Sequence, residues 1–332
     1  MKRSSGLTAL AFGALVATAA PAAASPFNAI YAFGDSLSDI GNVSIASGGA
    51  VPKSPPYAPG RFSNGPIWID DVAARVGVPL TPALAGGTDF AFGGATTGTT
   101  AVHTAGLGDL PYQMAAFQTL VPTPAQNALY TLWIGANDLR DAFSSANPVA
   151  AVQQVVPQAV QNASQAVLTL AGLGAKHLLV LNLPNLAETP AIALLGNPQL
   201  SALATAASGL YDSLLAASLQ QIAQTTGLQI DLLDMYALLN RAVQNPSAYG
   251  FADVTTPCWT GSTAGGPGTL CSTDKSLQDL HLFWDSLHPT EAGHALIARA
   301  ALALIPEPGS VLLLVGGLLG LAVLRRRSRA AS

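Results

Sequence analysis

Between residues 25 and 305 the chain alternates between short apolar runs and longer amphipathic stretches. The apolar runs are rich in β-branched, leucine and aromatic residues. They predict buried strands at 27–33, 128–134, 176–183 and 228–233, with one further strand that leads into the glycines at 93–94. The stretches between them predict helices near 67–76 and 110–120, within 149–170, and from about 199 to 226. Strands separated by helices indicate parallel pairing with right-handed crossovers. The pattern therefore predicts an α/β fold with a five-stranded parallel sheet that carries helices on both faces.

The first predicted strand ends at Gly34 and is followed by an acid and a hydroxyl, Asp35 and Ser36. In open α/β sheets ligands bind at the carboxyl ends of the strands, and the first backbone N–H groups after such a turn point outward, toward a developing anion. This placement favours Ser36 as a nucleophile. The alternative interpretation is a turn in which Asp35 and Ser36 cap the next segment.

Near the other end of the chain, Asp285 precedes His288 by three residues. A serine hydroxyl needs a base to take its proton, and the base needs a carboxylate that holds its tautomer. Residues three apart in a tight turn face the same side, so these two side chains can present together to one point. We expect them to be the partners of Ser36. The alternative is a surface pair at the start of a helix near Pro289-Thr290.

Four short sequence blocks occur in order along the chain. They are Gly-Asp-Ser-Leu at 34–37, Asp-Phe-Ala-Phe-Gly-Gly-Ala-Thr at 89–96, Gly-Ala-Asn-Asp at 135–138 and Asp-Ser-Leu-His-Pro at 285–289. Together with Gly-Arg-Phe-Ser-Asn-Gly at 60–65, they resemble the GDSL, or SGNH, family of serine esterases and lipases, in its lipase and haemolysin branch. The resemblance implies a flavodoxin-like three-layer sandwich and a catalytic triad of Ser36, Asp285 and His288.

Attack on an ester carbonyl creates an oxyanion, and fixed donors aimed at that oxygen are usually the largest catalytic contribution. Three donors are expected here: the backbone N–H groups of Ser36 and Gly94, and the side-chain amide of Asn137. Because two glycines stand side by side, either Gly93 or Gly94 can supply the backbone donor to the oxyanion, and we favour Gly94. The alternatives are an Asx turn at Asn137 and an ordinary loop at the doublet.

Both ends of the chain carry predicted sorting signals. Residues 1–24 combine a basic start, an apolar stretch and small residues, which predicts a secretory signal peptide cleaved after Ala24. Residues 306–332 contain Pro-Glu-Pro, an apolar segment at 310–324 and an arginine cluster. This order resembles a PEP-CTERM sorting tail, which implies membrane insertion followed by cleavage by an exosortase-type enzyme. The alternative is a permanent single-span anchor. We expect an exported protein, located in the periplasm, on the cell surface or outside the cell.

Composition narrows the remaining possibilities. Only 10% of the residues are charged and the formal net charge is −4, so no basic patch suggests a nucleic-acid partner. Cys258 and Cys271 are the only cysteines. In an exported chain such a pair predicts a disulfide rather than a metal site. No metal or organic cofactor is expected.

The chain has four histidines besides His288. We expect His103, His177 and His294 to be structural or solvent-facing, whereas His281 stays open because it lies close to the proposed site in sequence. The function expected from these patterns is hydrolysis of carboxylic acyl esters of lipids or acylated carbohydrates. The alternatives are a polysaccharide O-deacetylase and a non-catalytic surface or matrix-binding module. We expect the loops at 39–65 and 250–284 to shape the acyl pocket.

Overall fold

The computed structural model describes residues 27–98 and 108–305. The predicted signal peptide at 1–24, the predicted sorting tail at 306–332 and His103 lie outside the described residues. Within the two described ranges, no helix has both the length and the apolar character that crossing a membrane requires.

A parallel β-sheet forms the centre of the described part of the chain. Its strands lie in chain order and are Ala29–Gly34 (β1), Ala128–Trp133 (β2), His177–Leu181 (β3) and Gln229–Leu233 (β4). The register aligns Gly34 with Trp133, Trp133 with Leu181, and Leu181 with Leu233. All four strands therefore end at the same edge of the sheet, and the residues that follow β1 and β2 are neighbours there.

The predicted α/β fold with a parallel sheet is confirmed, but the number of strands is four in the described residues and not five. The expected strand before the glycines at 93–94 is not continuous. It runs beside β1, where the N–H of Phe90 donates to the carbonyl of Ala32 at 2.7 Å, and Asp89 makes an isolated bridge to Ala32. This is the position that the second strand takes in the flavodoxin-like order 2-1-3-4-5.

Backbone hydrogen bonds follow this segment along β1 as far as Phe92. The N–H of Ala32 donates to Thr88 O at 3.1 Å, and the N–H of Phe92 donates to Gly34 O at 3.1 Å. Within the segment only Asp89 forms a bridge to β1, and the turn at 93–94 begins directly after Phe92. The segment is therefore an extended edge beside β1 that is too short to count as a fifth strand.

Helices occupy both faces of the sheet. The helices in the described residues are Asn42–Ala46 (α1), Trp68–Val76 (α2), Leu110–Leu120 (α3), Ala136–Phe143 (α4), Pro148–Gly172 (α5), Pro190–Ala193 (α6), Pro198–Thr226 (α7), Met235–Gln244 (α8), Lys275–Gln278 (α9) and Glu291–Leu302 (α10). The four helices predicted from periodicity are confirmed as α2, α3, α5 and α7. Five helices were not predicted from the sequence: α1, α4, α6, α8 and α9. Of these, α1, α6 and α9 have only four or five residues, too few to show a repeating apolar face.

The core consists of two clusters, one on each face of the sheet. Along β1 the side chains of Tyr31 and Phe33 join the cluster under α3, α5 and α7, whereas Ile30 and Ala32 join the cluster under α2, α8 and α10. Successive residues of a strand point to opposite faces, so a strand buried on both sides must be apolar throughout. This burial explains why β1 and β2 read as continuous apolar runs.

Candidate active site

Three chain segments bring the predicted site residues to the carboxyl edge of the sheet. Ser36 lies two residues beyond β1, Asn137 lies in the first turn of α4 directly after β2, and His288 lies three residues before α10. Because β1 and β2 end in register, the segments after them meet at one place. The structure brings together Ser36, Asn137, Asp285 and His288, and Gly94 directly precedes Ala95, whose carbonyl accepts the amide of Asn137.

Ser36, His288 and Asp285 form a continuous chain of short polar contacts. The Nε2 atom of His288 lies 2.8 Å from Oγ of Ser36, and its Nδ1 atom lies 2.7 Å from Oδ2 of Asp285. All three side chains are buried. This is the geometry in which an imidazole can take a proton from a hydroxyl while a carboxylate holds the ring in the required tautomer.

The carboxylate of Asp285 accepts hydrogen bonds at both oxygens. Its Oδ1 atom accepts the backbone N–H groups of Leu287 and His288, each at 2.8 Å. Its Oδ2 atom accepts the hydroxyl of Tyr57 at 2.7 Å. Burial alone would raise the pKa of Asp285, but the charge of His288 and the hydrogen bonds from His288 and Tyr57 hold the pKa below its usual value. Asp285 is therefore an ionised partner for the imidazole.

Sequence reasoning missed Tyr57. It lies in the loop at 39–65, 228 residues from Asp285, in a proline-rich stretch without periodicity that offered no signal for it. Burial, followed by the charge of Asp285, raises the pKa of Tyr57 well above its usual value. The hydroxyl therefore keeps its proton and remains a donor to Asp285.

The predicted disulfide between Cys258 and Cys271 is confirmed, and it lies beside the segment that carries Asp285. The N–H of Cys258 donates to Phe283 O at 3.0 Å, and the N–H of Trp259 donates to Trp284 O at 2.6 Å. Cys258, Trp259 and Trp284 also form a small apolar cluster with Tyr57. The disulfide-linked loop therefore supports Asp285 in two ways: it bonds to the backbone just before Asp285, and it packs against Tyr57, which donates to the Asp285 carboxylate.

The two glycines of the doublet have different surroundings. The N–H of Gly93 donates to Oδ2 of Asp39 at 2.8 Å, and a Cβ atom added at Gly93 would lie only 2.4 Å from the ring of Phe62. Gly94 has a φ of +81°, a conformation that favours glycine, and its position has open space for a side chain. Within the described part of the chain, the backbone N–H groups of Gly94 and Ser36 have no hydrogen-bond acceptor. Gly94 is thus the member of the doublet whose N–H is available to a ligand.

Asn137 is buried, and its side-chain amide donates to neighbouring oxygen atoms. Its Nδ2 atom donates to Ala95 O at 2.9 Å, and Oδ2 of Asp35 lies at 3.5 Å, the limit of a hydrogen bond. One N–H of the amide is thus held by Ala95 O, and the other has only the long contact to Asp35. Burial raises the pKa of Asp35 to about 6, against hydrogen bonding from the backbone of Leu37 and the charge of His288.

The block at 60–65 holds the segment that delivers the histidine. The ring of Phe62 packs 5.2 Å from the ring of His288. The hydroxyl of Ser63 donates to Pro289 O at 2.9 Å, and Oδ1 of Asn64 accepts the N–H of Glu291 at 2.7 Å. These three contacts join a loop near the start of the domain to the residues on either side of the turn between His288 and α10.

The remaining histidines in the described ranges make no contact with Ser36. His177 is half-buried at the start of β3. The Nδ1 atom of His281 lies 3.3 Å from Thr256 O and 3.8 Å from Asp253. His294 is buried in α10, where burial and then the charge of His288 lower its pKa to about 3, so it stays neutral. Proximity in sequence thus did not make His281 part of the site.

A groove opens beside the triad, and we call it the site groove. Besides Ser36, Asn137 and His288, its lining includes Arg140 and Phe143 from α4 and the region from Pro184 to Ile192. No residue of the loops at 39–65 and 250–284 lines this groove, but Leu282 and Phe283 of the second loop line the apolar space next to it. The first loop contributes Tyr57, whose hydroxyl contacts Asp285.

Proteins with known descriptions resemble this chain over most of its length. It is 27% identical over 285 residues to a thermolabile hemolysin of Vibrio parahaemolyticus, which covers 83% of this chain and 63% of that protein. It is 26% identical to a phosphatidylcholine-sterol acyltransferase of Aeromonas hydrophila, over 84% of this chain and 90% of that one. It is 28% identical to an acetylesterase of Thermothelomyces thermophilus, over 86% of this chain and 93% of that protein. The chain spans less than two thirds of the hemolysin.

The family assignment rests on a match that covers most of the chain. Residues 30–301 match the family described as GDSL-like Lipase/Acylhydrolase. The matched range contains Ser36, Asn137, Asp285 and His288, and hence the whole of the geometry described above. This chain therefore belongs to the GDSL-like lipase/acylhydrolase family and is a hydrolase of ester bonds.

Proposed function

We propose that this protein hydrolyses carboxylic acyl esters through an acyl-enzyme formed on Ser36. As Oγ of Ser36 attacks the carbonyl carbon, Nε2 of His288 takes the hydroxyl proton, and Asp285 stabilises the imidazolium. The tetrahedral intermediate then breaks its ester C–O bond, and His288 gives the proton to the leaving alcohol. Water attacks the acyl-enzyme in the same way, which releases the acid and restores the serine.

The single observation that carries this proposal is the chain of contacts from Ser36 Oγ through His288 to Asp285, at 2.8 and 2.7 Å. The oxyanion would lie among the backbone N–H groups of Ser36 and Gly94 and the amide of Asn137. Two of these donors have no acceptor in the described residues, and the second N–H of the third has only the 3.5 Å contact to Asp35. These roles require no cofactor.

Ser36→Ala tests the nucleophile. We expect the variant to lose ester hydrolysis and fluorophosphonate labelling while it keeps its fold. Ser38→Ala is a matched control, because Ser38 is a buried serine two residues away whose hydroxyl contacts Trp68 Nε1 and not His288. Turnover retained in Ser36→Ala, or labelling of another serine on peptide mapping, would refute the assignment.

A polysaccharide O-deacetylase is the second candidate function. The similarity to a protein described as an acetylesterase favours it. A deacetylase and a lipase differ in the size of the acyl group that they accept, since an acetyl ester needs room for only one methyl group beyond the carbonyl carbon. Comparison of acetyl and long-chain esters of one alcohol separates them.

We also propose that the protein is exported and that its C-terminal tail is processed. The apolar segment at 310–324 would rise only about 22 Å as a helix, against a hydrocarbon core of about 30 Å. Such a short segment suits transient tethering better than a permanent anchor. In the native host we expect the mature chain to begin near Ser25 and to end near Pro306–Pro308. An intact mass that still includes residues 310–332 would exclude cleavage and favour the plain anchor.

A further inference from the structure

Asp39 connects the segment that carries the nucleophile with the turn that carries Gly94. Its backbone N–H donates to Asp35 O at 3.0 Å, which closes the turn around Ser36. Its side-chain Oδ2 accepts the N–H of Gly93 at 2.8 Å. The two backbone N–H groups assigned to the oxyanion belong to Ser36 and Gly94. One residue is therefore bonded to the neighbour of each of these donors.

The carboxylate of Asp39 binds four backbone N–H groups. Besides that of Gly93, it accepts those of Gly41, Asn42 and Val43, at 2.7, 2.6 and 3.1 Å. These last three bonds cap the start of α1, which is an ordinary structural role for an aspartate. The bond to Gly93 does not serve the helix, because it joins the carboxylate to a different segment of the chain.

A second buried side chain fastens the same two segments to each other. The Nδ2 atom of Asn42 donates to Asp89 O at 2.8 Å and to Ala91 O at 2.9 Å. In the other direction, Oδ2 of Asp89 accepts the N–H of Ile40 at 2.9 Å. The segment that leads to the glycine doublet is therefore held at several points by the loop that follows Ser36.

This arrangement is costly for the fold. Asp39 and Asp89 are both completely buried, and neither makes an ion pair in the described ranges. Burial, followed by the charge of Asp39, raises the pKa of Asp89 well above its usual value. Apolar side chains of similar volume would avoid the desolvation of the carboxyl groups. What the buried polar groups provide instead is a fixed direction for a backbone donor, which an oxyanion site requires.

We propose that Asp39 and Asn42 are positioning residues of the oxyanion site: they hold the turn at 93–94 against the turn around Ser36 and so direct the N–H of Gly94. This inference rests on the proposed function. Neither side chain touches the reacting atoms. Since a donor to the oxyanion acts mainly in the transition state, its misdirection should lower kcat and leave KM nearly unchanged.

Asp39→Ser tests the proposal in the full chain. Its hydroxyl can still accept an N–H at the start of α1, but the variant has no oxygen at the position that binds Gly93. We expect kcat on an acetyl ester to fall about tenfold or more, with KM within about twofold. Asp70→Asn is the matched control, because its carboxylate accepts the N–H of Ile67 at 3.0 Å at the start of α2 and not that of a glycine beside the site. It should lose stability and keep both kinetic values.

A trifluoromethyl ketone reports on the oxyanion site without turnover. When Oγ of Ser36 adds to its carbonyl carbon, His288 takes the hydroxyl proton and the carbonyl oxygen becomes an oxyanion. Asp39→Ser should therefore weaken the binding of this inhibitor by about the factor by which it lowers kcat/KM. Unchanged inhibitor binding in a folded Asp39→Ser protein would overturn the inference.

A double-mutant cycle separates positioning from packing. If Asp39 acts through Gly94, Asp39→Ser should lower kcat little further in the Gly94→Ala protein, where that N–H is already misdirected. In the Tyr57→Phe protein, which is altered at the carboxylate of the triad instead, the two losses should multiply. Equal losses from Asp39→Ser on both backgrounds would indicate a general loosening of the site and overturn the inference.

Should Asp39→Ser not fold, Asn42→Ser replaces it in every arm of the test, because it removes the donor to Asp89 O and Ala91 O. A folded variant that keeps the parent kcat, or that changes only KM, would overturn the inference. Ester turnover of the parent that depends on Ser36 would leave the proposed function intact in either case. A parent protein without ester turnover would instead refute the proposed function.

Discussion

The hydroxyl of Tyr57 donates a 2.7 Å hydrogen bond to Oδ2 of Asp285, the same oxygen that lies 2.7 Å from Nδ1 of His288. Tyr57 thus acts on the imidazole through the carboxylate and does not touch the reacting atoms. It is a positioning residue for the proposed reaction. Its contribution can be separated from packing because phenylalanine keeps the ring and removes only the donor.

We predict that Tyr57→Phe lowers kcat about tenfold with little change in KM, since a lost hydrogen bond to a charged group costs more than about 1 kcal/mol. The carboxylate loses a donor that stabilises its charged form, so the pKa of Asp285 should rise. A carboxylate without this donor also attracts the protonated imidazole more strongly, so the acid limb of the pH–rate profile should move to higher pH. Tyr236→Phe on α8 is the control and should change neither value. An acid limb that does not move would leave Tyr57 with a packing role only.

Asn137→Ala should lower kcat by about a hundredfold or more, with little effect on KM, because we assign its amide to the transition state. Steady-state kinetics on an acetyl ester would measure this. Asn162→Ala is the control, since Asn162 contacts Thr97 and Gln158 and lies outside the site groove. A change confined to KM would make Asn137 a substrate-positioning residue instead.

The glycine doublet should separate into two phenotypes. Gly94→Ala places a side chain at a φ of +81° in open space, so it should cost about 1 to 2 kcal/mol of stability and reduce kcat by misdirecting the N–H. Gly93→Ala would press against the Phe62 ring that packs on His288. Its larger effect should be on stability, measured by thermal unfolding. Equal loss of kcat at equal stability in both variants would contradict the assignment of Gly94.

The buried carboxyl of Asp35 makes stability depend on pH. Its pKa is about 6 in the folded protein and 3.8 as the ordinary value. Between these values the folded state binds more protons than the unfolded state, so the free energy of unfolding falls as pH rises through this window. The loss from this one group is about 3 kcal/mol.

Asp35→Asn removes that dependence. Between about pH 4 and pH 7 the free energy of unfolding of the variant should therefore rise relative to the parent by about 2 to 3 kcal/mol. Urea unfolding at the two pH values would measure the difference, and other buried carboxyls such as Asp138 cancel because both proteins contain them. A constant difference between variant and parent would show that Asp35 does not titrate in this range.

Replacement of both Cys258 and Cys271 by serine should lower the free energy of unfolding by about 3 kcal/mol, the chain-entropy value for a loop of about 14 residues. Because Cys258 and Trp259 pair with the backbone before Asp285, we also expect kcat to fall. The parent protein under reducing conditions is the control and should behave like the double variant. If neither the double variant nor the reduced parent lost stability, the disulfide would not constrain the unfolded chain.

The sequence by itself determined the fold class, the long helices and the residues of the triad. These features are local: a buried strand needs a continuous apolar run, a long helix repeats its apolar face, and Asp285 and His288 lie within one turn. Ser36 and Asn137 could be placed because each follows a predicted strand, and parallel strands end at one edge. The prediction of a fifth strand was wrong, because the segment beside β1 forms only one bridge to it before the turn at 93–94.

Only the tertiary structure decided which surroundings these residues have. The contact between Tyr57 and Asp285 spans 228 residues, and that between Asp39 and Gly93 spans 54. Contacts of this kind arise from the packing of distant segments, which leaves no periodicity in the chain. The hydrogen bond from Tyr57 to the carboxylate and the different surroundings of the two glycines are therefore properties of the packed structure.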